Sequence, residues 1–487
     1  MIKSATTTPV SASEVLARLE GLRGGDLPTH GGRTWAYVYD SGLSEIDELA
    51  SRAYMAYLSV NGLDPTVFPS LVRLENEVVA AAAALLHGDE RVVGTFTSGG
   101  TESCMLAVKA ARDRRQDISQ PEIVLPLTAH AAFHKAARLF GLKVVPAAVD
   151  PMTFRADADA VEAAITDHTV LVVASAVSYA HGVIDPVGAI ASTAASHGVP
   201  CHVDACIGGW VLPYFRRLGD PVPDFDFSVP GVTSISVDLH KYAYCPKGAS
   251  VLLYRDAELR RHQYFACADW PGYTIINSTL QSTKSGGPLA AAWAVLNFIG
   301  DAGYLELARK TRDATRRLIS GIDAIDGLHV LGHPDSSLVP FVAEDVDLFE
   351  VADELRARGW YVQPQLAFGT LPRNLHLTVT AASQDRVDPL LADLGAAALT
   401  ARAQSVEEVA PSLVAAAQAL DPATLTSEAF GGLLAMAGLS MDSGLPERMA
   451  PINRILEVLP APLRERLLVE FMGRLYTRVP QPRQGHE

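Results

Sequence analysis

The chain has 487 residues, 48% hydrophobic and 20% charged, with a formal charge of −15. That length suggests about three domains, and the acidic balance argues against nucleic acid as the main partner. No window approaches the roughly 18 apolar residues of a membrane span, and the polar stretch from Met1 to Gly32 has no signal-peptide core, so no stable membrane anchor is expected.

Residues 1–33 read as a loosely docked arm. Ser44-Glu45-Ile46-Asp47 has the form of a capping box opening a helix through about Leu58. A turn-rich loop, Asn61 to Pro69, leads to a second helix with Leu71, Leu74, Val78, Ala82 and Leu85 on one face. From Arg91 strands and helices alternate. The strands are Val92–Phe96, Ile123–Leu127, Lys143–Val149, Val170–Ala174, Pro200–Val203, Thr233–Val237 and Ser250–Tyr254. The helices between the early ones are Glu102–Arg114, Ala132–Phe140, Ala158–Ile165 and Val187–Ser196. Such alternation predicts an α/β fold with a mainly parallel central sheet, which binds ligands at the carboxyl ends of its strands.

Each of those ends carries chemistry. After the first strand, Ser98-Gly99-Gly100-Thr101 opens a helix, so backbone N–H groups and hydroxyls form an anion cup; no P-loop pattern is present. After the second comes His130, whose ring could stack on a flat cofactor. Ser175 follows the strand ending at Ala174, and His202 and Asp204 end the next one. A carboxylate buried at a strand end calls for a cationic partner, and a pyridinium N–H is one. The strand to Val237 runs into Asp238-Leu239-His240-Lys241. A lone lysine is ordinarily a surface residue. Here the four other strand ends make a specific alternative, an amine held for imine chemistry. Lysine, carboxylate and anion cup are the groups that pyridoxal 5'-phosphate needs.

The stretches Thr97–Ser103, His130–Ala137, His181–Pro186, His202–Gly209, Gly231–Gly248 and Asp269–Tyr273 together resemble the group II pyridoxal-phosphate-dependent decarboxylase family, and within it most closely the branch of sphingosine-1-phosphate lyases. The likeness runs over residues 35–400. It implies a fold-type I, aminotransferase-like homodimer with active sites shared between subunits. It implies that His130 stacks on the cofactor ring, Asp204 pairs with its nitrogen and Lys241 is the imine lysine. His240 and Ser98–Thr101 would hold the phosphate, and the Ser282–Gly287 loop, including Gly287, would come from the partner. Asn61, Lys247, Tyr273 and Lys284 are the candidate substrate contacts. The chain departs from the lyase pattern at Thr283-Lys284-Ser285, where those enzymes carry Ser-Arg-Pro, and at Ile275-Ile276-Asn277, where they carry small residues. Lysine keeps the charge there but loses the bidentate fork of arginine.

The implied reaction is carbon–carbon cleavage of a phosphorylated sphingoid-type amino alcohol to an aldehyde and phosphoethanolamine. An amino-acid decarboxylase and a non-enzymatic regulator are the alternatives; a DNA-binding regulator needs a basic helix-turn-helix, and none shows in the sequence. Helices Leu289–Phe298 and Leu305–Ile322 lead to a small α/β unit: Val339–Val342, Leu348–Arg358, Trp360–Val362, Leu375–Val379 and Val387–Leu399. The expected division is an N-terminal arm and helices (1–90), a cofactor-binding large domain (91–300), a small α/β domain (301–402) and a helical extension (403–487) for packing or dimer contact. Five cysteines at Cys104, Cys201, Cys206, Cys245 and Cys267 show no metal-ligand spacing and fit reduced thiols in a cytoplasmic protein without a metal.

Overall fold

The computed structural model describes residues 10–404 and 447–476, with isolated positions between 405 and 446. Its first helix, α1 (Ala12–Leu22), is capped by the Ser11 hydroxyl, which accepts from Glu14 N at 3.2 Å, and none of its residues is buried. Within the expected arm, residues 12–22 are thus an exposed helix, while Gly31 N donates to buried Asp40 at 3.0 Å. Next come α2 (Glu45–Ala56) and α3 (Pro69–Leu85). The Ser44 box does not form: Ser44 is itself in a helical conformation (φ −64°, ψ −28°) and its side chain caps nothing.

Seven strands build the large sheet: β1 (Val93–Thr97), β2 (Glu122–Pro126), β3 (Lys143–Ala147), β4 (Thr169–Ser175), β5 (Cys201–Asp204), β6 (Val232–Val237) and β7 (Ser250–Tyr254). Their spatial order is β1-β7-β6-β5-β4-β2-β3. Only β7 runs against its neighbours, while the pairs β6–β5, β5–β4, β4–β2 and β2–β3 are parallel. Every residue of β4 is buried, as a strand covered on both faces requires. The covering helices are α4 (Gly100–Arg114), α5 (Ala131–Phe140), α6 (Ala158–Ala164), α7 (Val187–Ser196) and α8 (Gly208–Arg217). Strands β1, β2, β4, β5 and β6 therefore end on one edge, and the catalytic candidates follow those ends.

Beyond β7 lie α9 (Ala257–Arg260) and a short hairpin, β8 (Phe265–Cys267) with β9 (Ile275–Asn277). The two expected long helices are one run, α10 (Gly286–Asp323), broken at Gly300, whose φ of 60° a side chain would resist. A four-stranded antiparallel sheet follows, in order β10-β11-β13-β12: β10 (Leu328–Val330), β11 (Leu338–Ala343), β12 (Gln363–Gln365) and β13 (Asn374–Thr378). With α11 (Leu348–Ala357) and α12 (Val387–Arg402) it encloses its own core around Phe341, Leu355, Trp360 and Leu375. The strand expected at Trp360–Val362 starts at Gln363 instead, because Trp360 turns inward, 1% exposed, and donates to Asp393 at 2.6 Å. Trp35 joins that core, and its backbone bonds Tyr361 and Thr378 (2.8 and 2.7 Å) pin the N-terminal segment to it.

The last described helices are α13 (Ala450–Val458) and α14 (Ala461–Leu475). Charge docks α13 on α11: Arg454 bonds Asp347 and Glu350 at 3.0 and 2.8 Å, and Arg448 bonds Glu350 and Glu354 at 2.6 and 3.0 Å. No described helix is long and apolar enough to cross a membrane.

Candidate active site

The five strand ends enclose a cavity of about 330 Å³, lined by Ser98–Thr101, His130, Ser175, Asp204, His240 and Lys241, as the sequence led one to expect, and by Glu102, Cys104, Val177, Tyr179, Cys206 and Asp238, which it did not single out. The anion cup starts at Gly99, with φ at 151°, and passes into α4, whose first amides have no carbonyl partner within the helix. Gly100 is required by close approach: a Cβ there would come within 2.8 Å of the Asp238 carboxylate and of Cys206 Sγ. Buried Glu102 ties the cup together, accepting from Ser98 N at 2.7 Å and from Leu280 N at 2.9 Å. His240 donates through Nδ1 to the Ala249 carbonyl at 2.8 Å, which leaves Nε2 for the cavity.

Lys241 is 18% exposed, with Nζ 3.0 Å from Asp238 Oδ2. Burial by itself would lower its pKa; Asp238, then Tyr39, Cys206 and Asp204, more than offset this and hold the amine well above its ordinary range. Lys241 therefore rests as an ammonium paired with the Asp238 carboxylate. Burial also opposes charge on Asp238, yet Lys241 and then His240 keep its carboxyl below the usual range. Asp238 Oδ1 is buried without a hydrogen-bond partner. An orphaned anionic oxygen of this kind belongs beside a polar ligand. Asp204 is 7% exposed and accepts from Cys206 N at 3.1 Å and from Ser236 Oγ at 3.3 Å, both through Oδ1. Its other oxygen is left to meet a cation. His130 caps α5, accepting from Ala132 N at 3.2 Å, and its ring meets Tyr179 edge-on at 6.4 Å.

The remaining candidates lie elsewhere. His202 does not touch the cavity: it is fully buried within β5, with ring nitrogens 2.8 Å from Ser234 Oγ and 3.2 Å from Ser236 Oγ. It reaches Asp204 only through Ser236. Its place in a strand whose side chains alternate in direction, two before Asp204, puts both on one face but at different depths. Lys284 pairs with Glu75 at 2.8 Å, and its backbone carbonyl accepts from Gly62 N at 2.7 Å, next to Asn61. Gly287 is buried against the Tyr54 ring. Tyr273 is 57% exposed beside Trp270. None of these four lines the cavity of its own chain. Lys247 donates to the Tyr37 carbonyl at 3.2 Å and sits 5.1 Å from the Tyr39 ring centre. Partial burial, and then repulsion from Lys241, hold its amine below the ordinary lysine range.

Cavity, cup, paired lysine and buried carboxylate fit pyridoxal 5'-phosphate. Residues 37–344 match the profile described as the pyridoxal-dependent decarboxylase conserved domain. The chain belongs to that family. Its cofactor is pyridoxal 5'-phosphate. A sphingosine-1-phosphate lyase of Dictyostelium discoideum is 41% identical over 341 residues, which are 70% of this chain and 63% of that relative's length. One of Arabidopsis thaliana is 39% identical over 400 residues, 80% of this chain and 72% of the relative. Among solved structures, a sphingosine-1-phosphate lyase of Burkholderia pseudomallei superimposes with a TM-score of 0.78 at 37% identity, covering 82% of this chain and 93% of the other.

Residues 411–474 match a second profile, a C-terminal putative HTH domain of pyridoxal-dependent enzymes. This corrects the expectation that no helix-turn-helix is present. The signal was missed because the segment is not basic: it holds seven acidic and five basic side chains. Of those five, Arg448 and Arg454 are spent on α11.

Proposed function

We propose that this protein is a carbon–carbon lyase that cleaves a phosphorylated sphingoid-type amino alcohol between Cα and Cβ, releasing an aldehyde and phosphoethanolamine. The observation that carries the reading is the similarity to sphingosine-1-phosphate lyases from a slime mould, a plant and a bacterium across most of this chain. When bound, the cofactor supplies an electron sink for the bond broken next to the substrate nitrogen. The residues of the chain do the rest. Lys241 would hold the cofactor, and Asp238, 3.0 Å from its Nζ, would orient the amine. Asp204, fixed by Cys206 and Ser236, would pair with the ring nitrogen and keep it protonated. His130 would cover one face of the ring, and the Ser98–Thr101 cup with His240 would bind the phosphate of the cofactor.

A phosphorylated head group also needs cations. We assign to that task Lys247, which is near enough to Lys241 to feel its charge. Asn61, Tyr273, Lys284 and Gly287 belong in this proposal to the partner's site in a homodimer, since they lie away from their own cavity. The enzyme is proposed to be cytoplasmic. A decarboxylase is the second reading, favoured by the description of the family itself. Incubating purified protein with sphingoid base phosphates and with amino acids separates the two. The lyase reading expects aldehyde, reduced in Lys247→Ala. Carbon dioxide from an amino acid, with no aldehyde from any phosphorylated amino alcohol, would replace it with the decarboxylase.

A further inference from the structure

Two thiols stand in the floor of the cofactor cavity, brought together from positions about a hundred residues apart in the chain. Cys104 lies in the first turns of α4 and Cys206 two residues past Asp204; both line the cavity and are 1% and 7% exposed. Their sulfurs and an Asp204 carboxylate oxygen all lie within 4.8 Å of one another. A disulfide needs its sulfurs about 2 Å apart, so they have at most roughly 3 Å to close. Cys201 and Cys245 are buried elsewhere, and Cys267 is half-buried in β8.

We propose that Cys104 and Cys206 are a redox pair that a peroxide converts to a disulfide when the cavity holds no cofactor, and that this disulfide weakens cofactor binding. The Cys104 thiolate attacks the peroxide, whose O–O bond breaks to leave a sulfenic acid and water. Cys206 then attacks that sulfur, the S–S bond forms and a second water leaves. Two thiols lose two electrons and two protons, and the peroxide takes up both. Both sulfurs are buried in the cavity floor. That burial explains the dependence on the cofactor. Both thiols line the cavity, so a cofactor bound there would cover them.

The effect on binding follows from the contacts of Cys206. Its thiol donates to Ser236 Oγ at 3.3 Å, and Ser236 is 3.3 Å from Asp204 Oδ1, to which Cys206 N also donates at 3.1 Å. A disulfide removes the S–H donor and draws the Cys206 loop toward α4. The carboxylate that faces the ring nitrogen then loses its fixed position. By linkage the reverse holds as well: bound cofactor disfavours the disulfide.

The test compares protein stripped of cofactor with protein in excess pyridoxal phosphate, each treated with hydrogen peroxide, alkylated and mapped by mass. The stripped protein is expected to yield a linked peptide joining Cys104 to Cys206, reversed by dithiothreitol. At 100 times its dissociation constant the cofactor should slow the linkage about 100-fold. The oxidised protein should bind pyridoxal phosphate more weakly in an absorbance titration, and Cys104→Ser should show neither the linkage nor the peroxide-dependent weakening. Absence of the linked peptide while Cys267 is visibly oxidised would overturn the proposal. So would an equal rate with and without cofactor, or the same weakening in Cys104→Ser. Because the linkage is read by mass, its outcome is independent of which substrate the enzyme turns over.

Discussion

Replacing Asp204 by Asn separates the chemistry of this carboxylate from its place in the fold. Asp204 accepts two hydrogen bonds through Oδ1, at 3.1 Å from Cys206 N and 3.3 Å from Ser236 Oγ. An amide oxygen accepts both. Exchanging a charged acceptor for a neutral one forfeits about 1 kcal/mol per bond, so about 2 kcal/mol in all. In a chain of 487 residues that lowers Tm by only a few degrees. The ring nitrogen loses more. Two unit charges in hydrogen-bond contact interact by roughly 5 kcal/mol at the effective dielectric of about 20 that suits protein sites. The amide dipole recovers part of this, leaving at least about 3 kcal/mol in the barrier, a loss of roughly a hundredfold in turnover. The assay follows aldehyde release from a sphingoid base phosphate, with cofactor content read from the visible spectrum and Tm by calorimetry. Asp204→Asn should keep cofactor, melt within a few degrees of the parent and lose two or more decades of kcat. A fully loaded variant with near-parental turnover would show that Asp204 only supports the loop and that the ring nitrogen needs no anion.

Burial holds the neutral histidines His181, His202 and His376 at about 4, against an ordinary value of 6.5. The unfolded chain therefore takes up protons first as pH falls from about 6.5 toward 4, and stability declines over that window. Asp185, raised to about 6 by burial, works in the opposite direction and cancels one proton. These four groups alone leave a net of two protons, a decline of up to about 3 kcal/mol per pH unit, to which the lowered His240 and His262 add in the same direction; urea unfolding that is flat between pH 7 and 5 would contradict it. Arg454 is 9% exposed between Asp347 and Glu350. Arg454→Met should release α13 from α11 at a cost of about 3 kcal/mol, seen as faster amide exchange across 450–458; unchanged exchange would mean the ion pairs do not hold it. Mixing subunits disabled at Lys241 with subunits disabled at Lys284 should restore activity if the 283–287 loop serves the partner's site. No recovery after verified subunit exchange would assign the loop to its own chain.

The strand ends were legible because a buried parallel strand is an apolar run, and a polar or glycine-rich stretch after it marks the ligand edge. Ser98–Thr101, His130, Asp204 and Lys241 were all found this way. His202 was over-read: proximity to Asp204 in sequence put it on the right face but one layer too deep. Asp238 sat in the same Asp-Leu-His-Lys run as Lys241 and was passed over, since only three-dimensional contact shows which carboxylate meets the amine. Glu102 and Cys104 depend on loops and helices far apart in the chain, and no periodicity reports such contacts. Among whole elements, α8 was missed because Gly208, Gly209 and Pro213 spoil its helical signal. The β8–β9 hairpin was missed because its strands are three residues each and none of their residues is buried.

The central claim is that Lys241 carries the cofactor at the edge where β6 ends. Purified protein should show a visible absorbance that borohydride converts to a stable adduct, and peptide mapping should place that adduct on Lys241. Lys241→Ala should lose both the absorbance and the adduct. A label on any other lysine, or an unchanged spectrum in Lys241→Ala, would contradict the account.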